Sequence, residues 1–279
     1  MKHVIFTADD FGLTPEVNAA VARAHRDGVL TAASLMIAAP AAQEAVNLAR
    51  MLPGLGVGLH VVVADGRPLL PPDQIPALVD RTGALPSNLA AAGIHWFFSP
   101  AARVQLRREI EAQFAAFLAT GLVCDHVNAH NHMHLHPTVL GIVMDCAVAN
   151  GIRHIRLPYE PPSLAGGDMG ARLGGLALTP WTALMRSRFA RAGLVCNDRL
   201  AGLSATGHMT EARVLAALDA VEDGVTEFYF HPAEWATPEL ERAAPGYDRA
   251  GELAALTSPA VARRLQDLGI NSCFFRGLP

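Results

Sequence analysis

Four of the chain's twelve histidines fall within eight residues, His130 to Pro137, in the run HNHMHLHP. Imidazole is both a metal ligand and the side chain that titrates nearest neutral pH, so the run points to metal or acid–base chemistry. Side chains alternate along an extended chain, which would turn His130, His132, His134 and His136 to one face. A catalytic zinc takes three protein ligands and keeps a position for water, so one of the four completes a metal site. The other three are then free to orient neighbours, contact substrate or cap the helix expected after Pro137. Asp9 and Asp10 are adjacent in TADDFG. Neighbours in a strand point to opposite faces, so one can hold a cation while the other turns to water or substrate. The plainer alternative is that Asp10 caps the following helix. His60 interrupts the apolar run VGLHVVV, either as a ligand or as a core imidazole bonded to backbone.

Such residues work together only if the fold converges them. Strands are expected at 3–9, 32–39, 57–63, 125–130, 154–159, 226–231 and 271–276, from short β-branched or aromatic runs. Helices are expected at 15–27, 41–52, 101–120, 137–150, 179–192, 210–223 and 259–268. Most of these have Pro at the start or Gly just past the end. The alternation implies an α/β protein with about seven parallel strands, closed or nearly closed into a TIM-like (β/α) barrel. Two irregular stretches interrupt it, 64–100 with six prolines and 160–178 with GGDMGARLGG, and both read as loop insertions in a single domain spanning 1–279. Asp9, Asp10, His60, His130, Arg156 and His231 all fall at or near carboxyl ends of expected strands, the face on which parallel barrels build active sites.

Composition narrows the classes. The 279 residues are 51% hydrophobic with a net charge of −4, and no Lys/Arg cluster marks a nucleic-acid partner. Cys124, Cys146, Cys196 and Cys273 never approach a CxxC spacing, which excludes a zinc ribbon and gives no disulfide framework. The N-terminus turns acidic too soon for a signal peptide, and no apolar window is long enough to span a bilayer, so a cytoplasmic protein is expected.

TADDFG (7–12), GLHVVV (58–63), HNHMH and FHP (230–232), in that order, resemble the YdjC-like carbohydrate deacetylases over nearly the whole chain. The resemblance implies a distorted (β/α) barrel and hydrolysis of N-acetyl groups on sugars with one divalent metal. Zinc is the first expectation, with magnesium, manganese, cobalt and nickel open. Its ligands would be Asp10, His60 and His130. TADD and RLPY (156–159) are also similar to the T-x-DD and R-x-P-Y motifs of NodB-type polysaccharide deacetylases, which makes Asp9 the base and Arg156 the group that orients it. LTAASLMIAAPAA (30–42), GRPLLPPDQIPALVD (66–80) and DHVNAHNHMHLHPTV (125–139) resemble the hopanoid-biosynthesis (HpnK-type) branch, which implies an N-acetylglucosaminyl glycolipid substrate and peripheral membrane contact. Relatives often pair, so a homodimer is a further expectation. One departure stands out: many members carry Asp where this chain has Asn128, and no catalytic duty is assigned there.

Amide hydrolysis needs an activated water, a polarised carbonyl and a proton for the leaving amine. A metal supplies the first two, Asp9 accepts the water's proton, and His231 is the candidate general acid. His132, His134 and Tyr159 are expected to contact substrate or support the ligands. Trp96, in HWFFSP (95–100), either joins Phe97 and Phe98 in an apolar apron for a lipid or packs with them under the following helix. A chito-oligosaccharide is the alternative substrate. A two-metal phosphoesterase would need more carboxylates on the rim, and a sugar- or metal-binding protein without turnover would need neither Asp9 nor His231.

Overall fold

The computed structural model describes residues 1–166 and 169–278. Seven parallel strands form one sheet: β1 (Lys2–Phe11), β2 (Ala32–Leu35), β3 (Gly56–Val61), β4 (Val127–Ala129), β5 (Arg199–Ala201), β6 (Gly224–Phe230) and β7 (Asn271–Ser272). Their order is β4–β3–β2–β1–β6–β5, with β7 beside β1. The sheet curls into a half-barrel, in agreement with the expected distorted TIM-like α/β architecture. Single bridges, Val127 with Ile155 and His154 with Val195, span the gap beyond β4. β1 lies at the centre because VIFTADDF is buried from Val4 to Phe11, as an inner parallel strand must be.

The helices are α1 (Pro15–Asp27), α2 (Ala42–Met51), α3 (Leu89–Phe98), α4 (Pro100–Ala119), α5 (Pro137–Ala149), α6 (Met169–Arg191), α7 (Glu211–Asp219), α8 (Pro238–Ala243), α9 (Arg249–Leu256) and α10 (Pro259–Asp267). Seven begin with Pro in their first turn (α1, α4, α5, α8 and α10) or carry a side-chain cap there (α3 and α9). Thr14, not Asp10, caps α1.

Several expectations change. HIRLPY is no strand beyond its bridges at His154 and Ile155. Pro158 lacks an N–H, and the Asn197 side chain brackets Leu157 at both N–H (2.7 Å) and C=O (2.9 Å) in place of a neighbouring strand. The stretch 160–178 is largely helical, because α6 starts at Met169 and runs through Pro180. Its glycines mislead. Gly175 has a packing reason, since a Cβ there would stand 2.8 Å from the Glu160 carbonyl oxygen. Gly167 and Asp168 of that stretch lie outside the described residues. Within 64–100, α3 occupies the last third. The rest is pinned to α4: Glu109 accepts from the N–H groups of Leu69 and Leu70, and Gln105 accepts from the N–H of Ala77. β5, α8 and α9 were not expected.

Candidate active site

The ends of β1, β3, β4 and β6 meet at a cavity of about 390 Å³ lined by Asp9, Asp10, His60, His130, His132, Tyr229, His231, Tyr247 and Arg249, among others. Both aspartates reach it because β1 does not end as a plain strand. Its register against β2 shifts between Ala8 and Phe11, and Asp10 takes a left-handed conformation (φ 62°). A bulge re-aims a side chain that strict alternation would send to the opposite face. The other non-glycine residues with positive φ among those described are Asp65, Asn131 and His132. All four border this cavity or the groove beside it, which concentrates backbone strain at the site.

Asp10, His60 and His130 bring ligand atoms within 4.8 Å of one another. Asp10 Oδ1 lies 3.2 Å from His130 Nδ1 and 3.7 Å from His60 Nε2, and the two histidine nitrogens are 3.3 Å apart. A tetrahedral ion bound at about 2.0–2.1 Å separates its ligand atoms by about 3.3–3.4 Å, so these three form a face of such a polyhedron. Asp10 Oδ1 is buried without a hydrogen-bond partner, the condition of an oxygen that needs a cation. Charge agrees. The buried carboxylates (Asp9, Asp10, Glu227 and, behind His231, Glu252) outnumber the two buried guanidiniums (Arg156, Arg249), a negative excess that a divalent ion offsets.

Asp9 is held differently. Arg156 donates to both of its oxygens (2.5 and 3.0 Å) and clasps Glu227 with Nε and Nη2. Burial pushes the Asp9 carboxyl up, but Arg156 and then His60 outweigh it and hold Asp9 well below the usual carboxylate range. Asn128 donates to Asp9 Oδ1 (3.1 Å) while its carbonyl oxygen accepts from His60 Nδ1 (2.6 Å). Residues Glu227, Tyr229 and His231 share one face of β6 and its end, at intervals of two.

The histidine run is not extended. His130 to Leu135 form two tight turns broken by left-handed Asn131 and His132, so the four imidazoles part company. His130 joins Asp10. His132 lines the cavity with its ring edge-on to Tyr229 at 5.1 Å. His134 is buried beneath, and its Nε2 donates to the Arg156 carbonyl (3.1 Å). His136 turns to Trp96 and does not cap α5 with its side chain.

Two further candidates are not at the cavity. Trp96 is 1% exposed in the core, whereas Phe97 and Phe98 are 50% and 74% exposed, so the expected aromatic apron loses its tryptophan. Tyr159 packs against the core and engages Leu200 through its backbone. The sequence reading missed Glu227, Arg249, Glu252, Tyr229 and Tyr247. The first turn of α9 grips the His231 peptide from both sides: Glu252 accepts its N–H and Arg249 donates to its C=O (3.2 Å). Arg249 also stands 3.7 Å from Asp10 Oδ2 and lies over the Tyr247 ring. A charge within an apolar strand, two and four residues from other polar groups, was the available signal for Glu227. Arg249 and Glu252 gave none.

The model of the YdjC-like protein family matches residues 3–267. A carbohydrate deacetylase of Geobacillus stearothermophilus is 31% identical over 99% of this chain and 97% of its own length. One of Thermoanaerobacter pseudethanolicus is 28% identical over 84% and 82%. A crystal structure from Enterococcus faecalis, described as a cellobiose-phosphate cleavage protein, superposes with a TM-score of 0.78 at 24% identity, covering 99% of this chain and 98% of that one. That last likeness speaks for the fold alone.

Proposed function

Because the chain belongs to the YdjC-like protein family, we propose that it is a metal-dependent carbohydrate deacetylase that hydrolyses the N-acetyl group of an N-acetylglucosamine-type sugar. The observation that carries this reading is the convergence of three metal-ligand atoms, an ionised carboxylate and an imidazole on one cavity. A divalent ion held by Asp10, His60 and His130 would supply Lewis acidity toward the acetyl carbonyl and acidify the attacking water. Asp9, kept ionised by Arg156, accepts the water's proton. Arg156 is the positioning residue that fixes the orientation of both Asp9 oxygens. His231 protonates the departing amine. Its Nδ1 has no partner, and α9 fixes its backbone. Burial lowers its pKa to about 4 while Asp10 and Asp9 draw it back up, so it is neutral in the resting site, and the proton it hands to the amine is the one that the attacking water releases to Asp9. His132 and Tyr229 form the cavity wall available to the sugar.

For the substrate we favour an N-acetylglucosaminyl glycolipid of the hopanoid kind. A groove of about 150 Å³ adjoins the site through His130 and Ala243 and is lined by Leu13, Met36, Pro40 and Val62. Met36 and Pro40 lie in one stretch that resembles that branch, and Gly66 and Arg67 lie in a second. Exposed Phe97 and Phe98 suit contact with a lipid surface. Four cysteines without a disulfide suit a reducing cytoplasm, and we read the chain as one domain working as a homodimer.

The test is acetate release from an N-acetylglucosaminyl bacteriohopanetetrol and from diacetylchitobiose, after chelation and metal re-addition. Metal-dependent release from the glycolipid is the expected result, and Asp9→Asn lowers it by a factor on the order of 10²–10⁴. Release from chitobiose alone overturns the lipid assignment, and release from neither overturns the deacetylase reading.

A further inference from the structure

The contacts behind His60 do not stop at Asn128. Asn128 Nδ2 donates to Ser34 Oγ (2.8 Å), Ser34 Oγ lies 2.9 Å from His126 Nε2, and His126 Nδ1 lies 3.0 Å from Asp125 Oδ2. Asp125 in turn accepts from the backbone N–H groups of Phe275 and Arg276, at 3.1 and 2.9 Å. The Phe275 ring stacks on His126 with centroids 4.5 Å apart. Ser34, His126 and Asn128 are fully buried, Asp125 is 1% exposed and His60 2%.

Donor and acceptor chemistry fixes the direction of every link. Both Asp9 oxygens accept from Arg156, so the Asn128 amide group facing Asp9 is its NH₂, and its carbonyl faces His60. His60 must therefore carry its proton on Nδ1, which leaves the Nε2 lone pair toward Asp10 and His130. The second Asn128 N–H goes to Ser34, which frees the Ser34 hydroxyl proton for His126 Nε2. His126 then donates from Nδ1 to the Asp125 carboxylate, which is held ionised against its burial by His126 and the two backbone N–H groups. All four bonds point one way, from the ligand to Asp125, and bonds so aligned polarise one another.

Ser34, His126 and Asp125 have the hydrogen-bond order of a nucleophilic triad, yet the serine is fully buried and no substrate reaches it. β3 is cut to make room for them. A Cβ on Gly58 would come within 2.6 Å of the His126 ring, and one on Gly56 within 2.8 Å of Asp125. Gly56, Gly58 and His60 share one face at intervals of two, so the same face that presents the ligand also clears the space behind it.

We propose that Asp125, His126 and Ser34, latched by the C-terminal residues Phe275 and Arg276, form a positioning chain that holds Asn128 and keeps His60 in its metal-ready tautomer. The chain rests on the reading of His60 as a ligand. It also gives Asn128 a reason: a carboxylate there could donate to neither Ser34 nor Asp9, and the links would lose their common direction.

The experiment measures Zn²⁺ affinity by competition with a chromophoric chelator. Alongside it, long-range ¹H–¹⁵N correlations of the histidines in the metal-free full-length protein read the tautomers, with His60 assigned from a His60→Gln spectrum. The wild type is expected to show His60 and His126 protonated on Nδ1. Ser34→Ala is expected to weaken Zn²⁺ binding on the order of 10-fold and to release His126 into a mixture of tautomers. Should Ser34→Ala fail to fold, Asp125→Asn carries the same test, with faster hydrogen exchange at Phe275 and Arg276 added. Affinity within two-fold of wild type in a folded variant overturns the proposal, as does a wild-type His60 protonated on Nε2. A wild type that binds no Zn²⁺ but shows the Nδ1 tautomers removes the metal reading and leaves the chain itself standing.

Discussion

At the scale of single residues, the site is a problem of buried charge. Arg156 is fully buried and is tolerated because Asp9 and Glu227 both pair with it. Removing one partner of a buried pair leaves the other uncompensated, at a cost of about 3–5 kcal/mol. Glu227→Gln is therefore expected to lower stability by about 3 kcal/mol in urea denaturation and, because Asp9 loses its clamp, to reduce kcat more than KM. An unchanged midpoint with intact activity would show that Asp9 alone satisfies Arg156. Glu252 sits at the same scale. Burial raises its carboxyl to about 7 against two backbone N–H donors. Glu252→Gln keeps the size but places an NH₂ against one of those donors, at the Met209 or His231 peptide, so the prediction is a fall of 10-fold or more in kcat, in line with outer-contact losses. Zn²⁺ affinity should be unmoved, because no metal ligand touches Glu252.

At the scale of elements, the end of β1 decides where the carboxylates go. Gly12 follows the bulge at φ 93°, and its N–H is anchored by the Asn18 side chain of α1 (2.9 Å). A Cβ there would stand 3.1 Å from both Ala42 Cα and Leu35 Cδ1. Gly12→Ala is expected to cost about 1–3 kcal/mol and to weaken metal binding by displacing Asp10. A melting temperature and chelator titration equal to wild type would show that the bulge does not depend on this glycine. The β3 glycines act by another route. Gly58→Ala should disturb the His126 ring and leave the β1 bulge untouched, so the two substitutions should be additive in stability.

At the scale of the whole molecule, acid stability follows from imidazoles buried in neutral form. Burial, with Arg156 beside it, lowers His134 to about 3, and burial lowers His231 to about 4. The unfolded chain takes up these protons below about 6.5 and the folded chain only near 4 or lower, so the unfolded state binds more protons across that window. For these imidazoles stability is full above about 6.5 and is lost as pH falls toward 4, with His231 contributing up to about 3 kcal/mol. Glu252, whose folded carboxyl is raised to about 7, binds its proton earlier than in the unfolded chain and offsets part of that loss. Thermal melts of the metal-free protein at pH 7, 6, 5 and 4.5 should show a falling midpoint. A midpoint that is flat from 7 to 5 in Glu252→Gln, where the opposing carboxyl is gone, would mean these imidazoles take up protons in the folded state as well.

The sequence by itself determined the repeating strand–helix pattern and the placement of Asp9, Asp10, His60, His130 and His231 at strand ends, because apolar runs, prolines and glycines act locally and chemistry-bearing residues stand out against them. It misplaced what depends on contact. The HNHMHLHP run alternates on paper, but left-handed Asn131 and His132 send its imidazoles to four different surroundings. Asp9 and Asp10 share a cavity through a bulge that alternation cannot anticipate. Trp96 is as aromatic as Phe97 and Phe98, and only packing decides that it is buried while they are not. Arg249 and Glu252 lie on an ordinary helix and reach His231 across the chain. Asn128 departs from a family pattern in one dimension, and its use is set by Asp9, Ser34 and His60, three strands brought together in the barrel. Local rules depend on a residue and its near neighbours. Hydrogen-bond direction, burial and strain depend on which distant groups arrive beside it, and those arrivals are the tertiary structure.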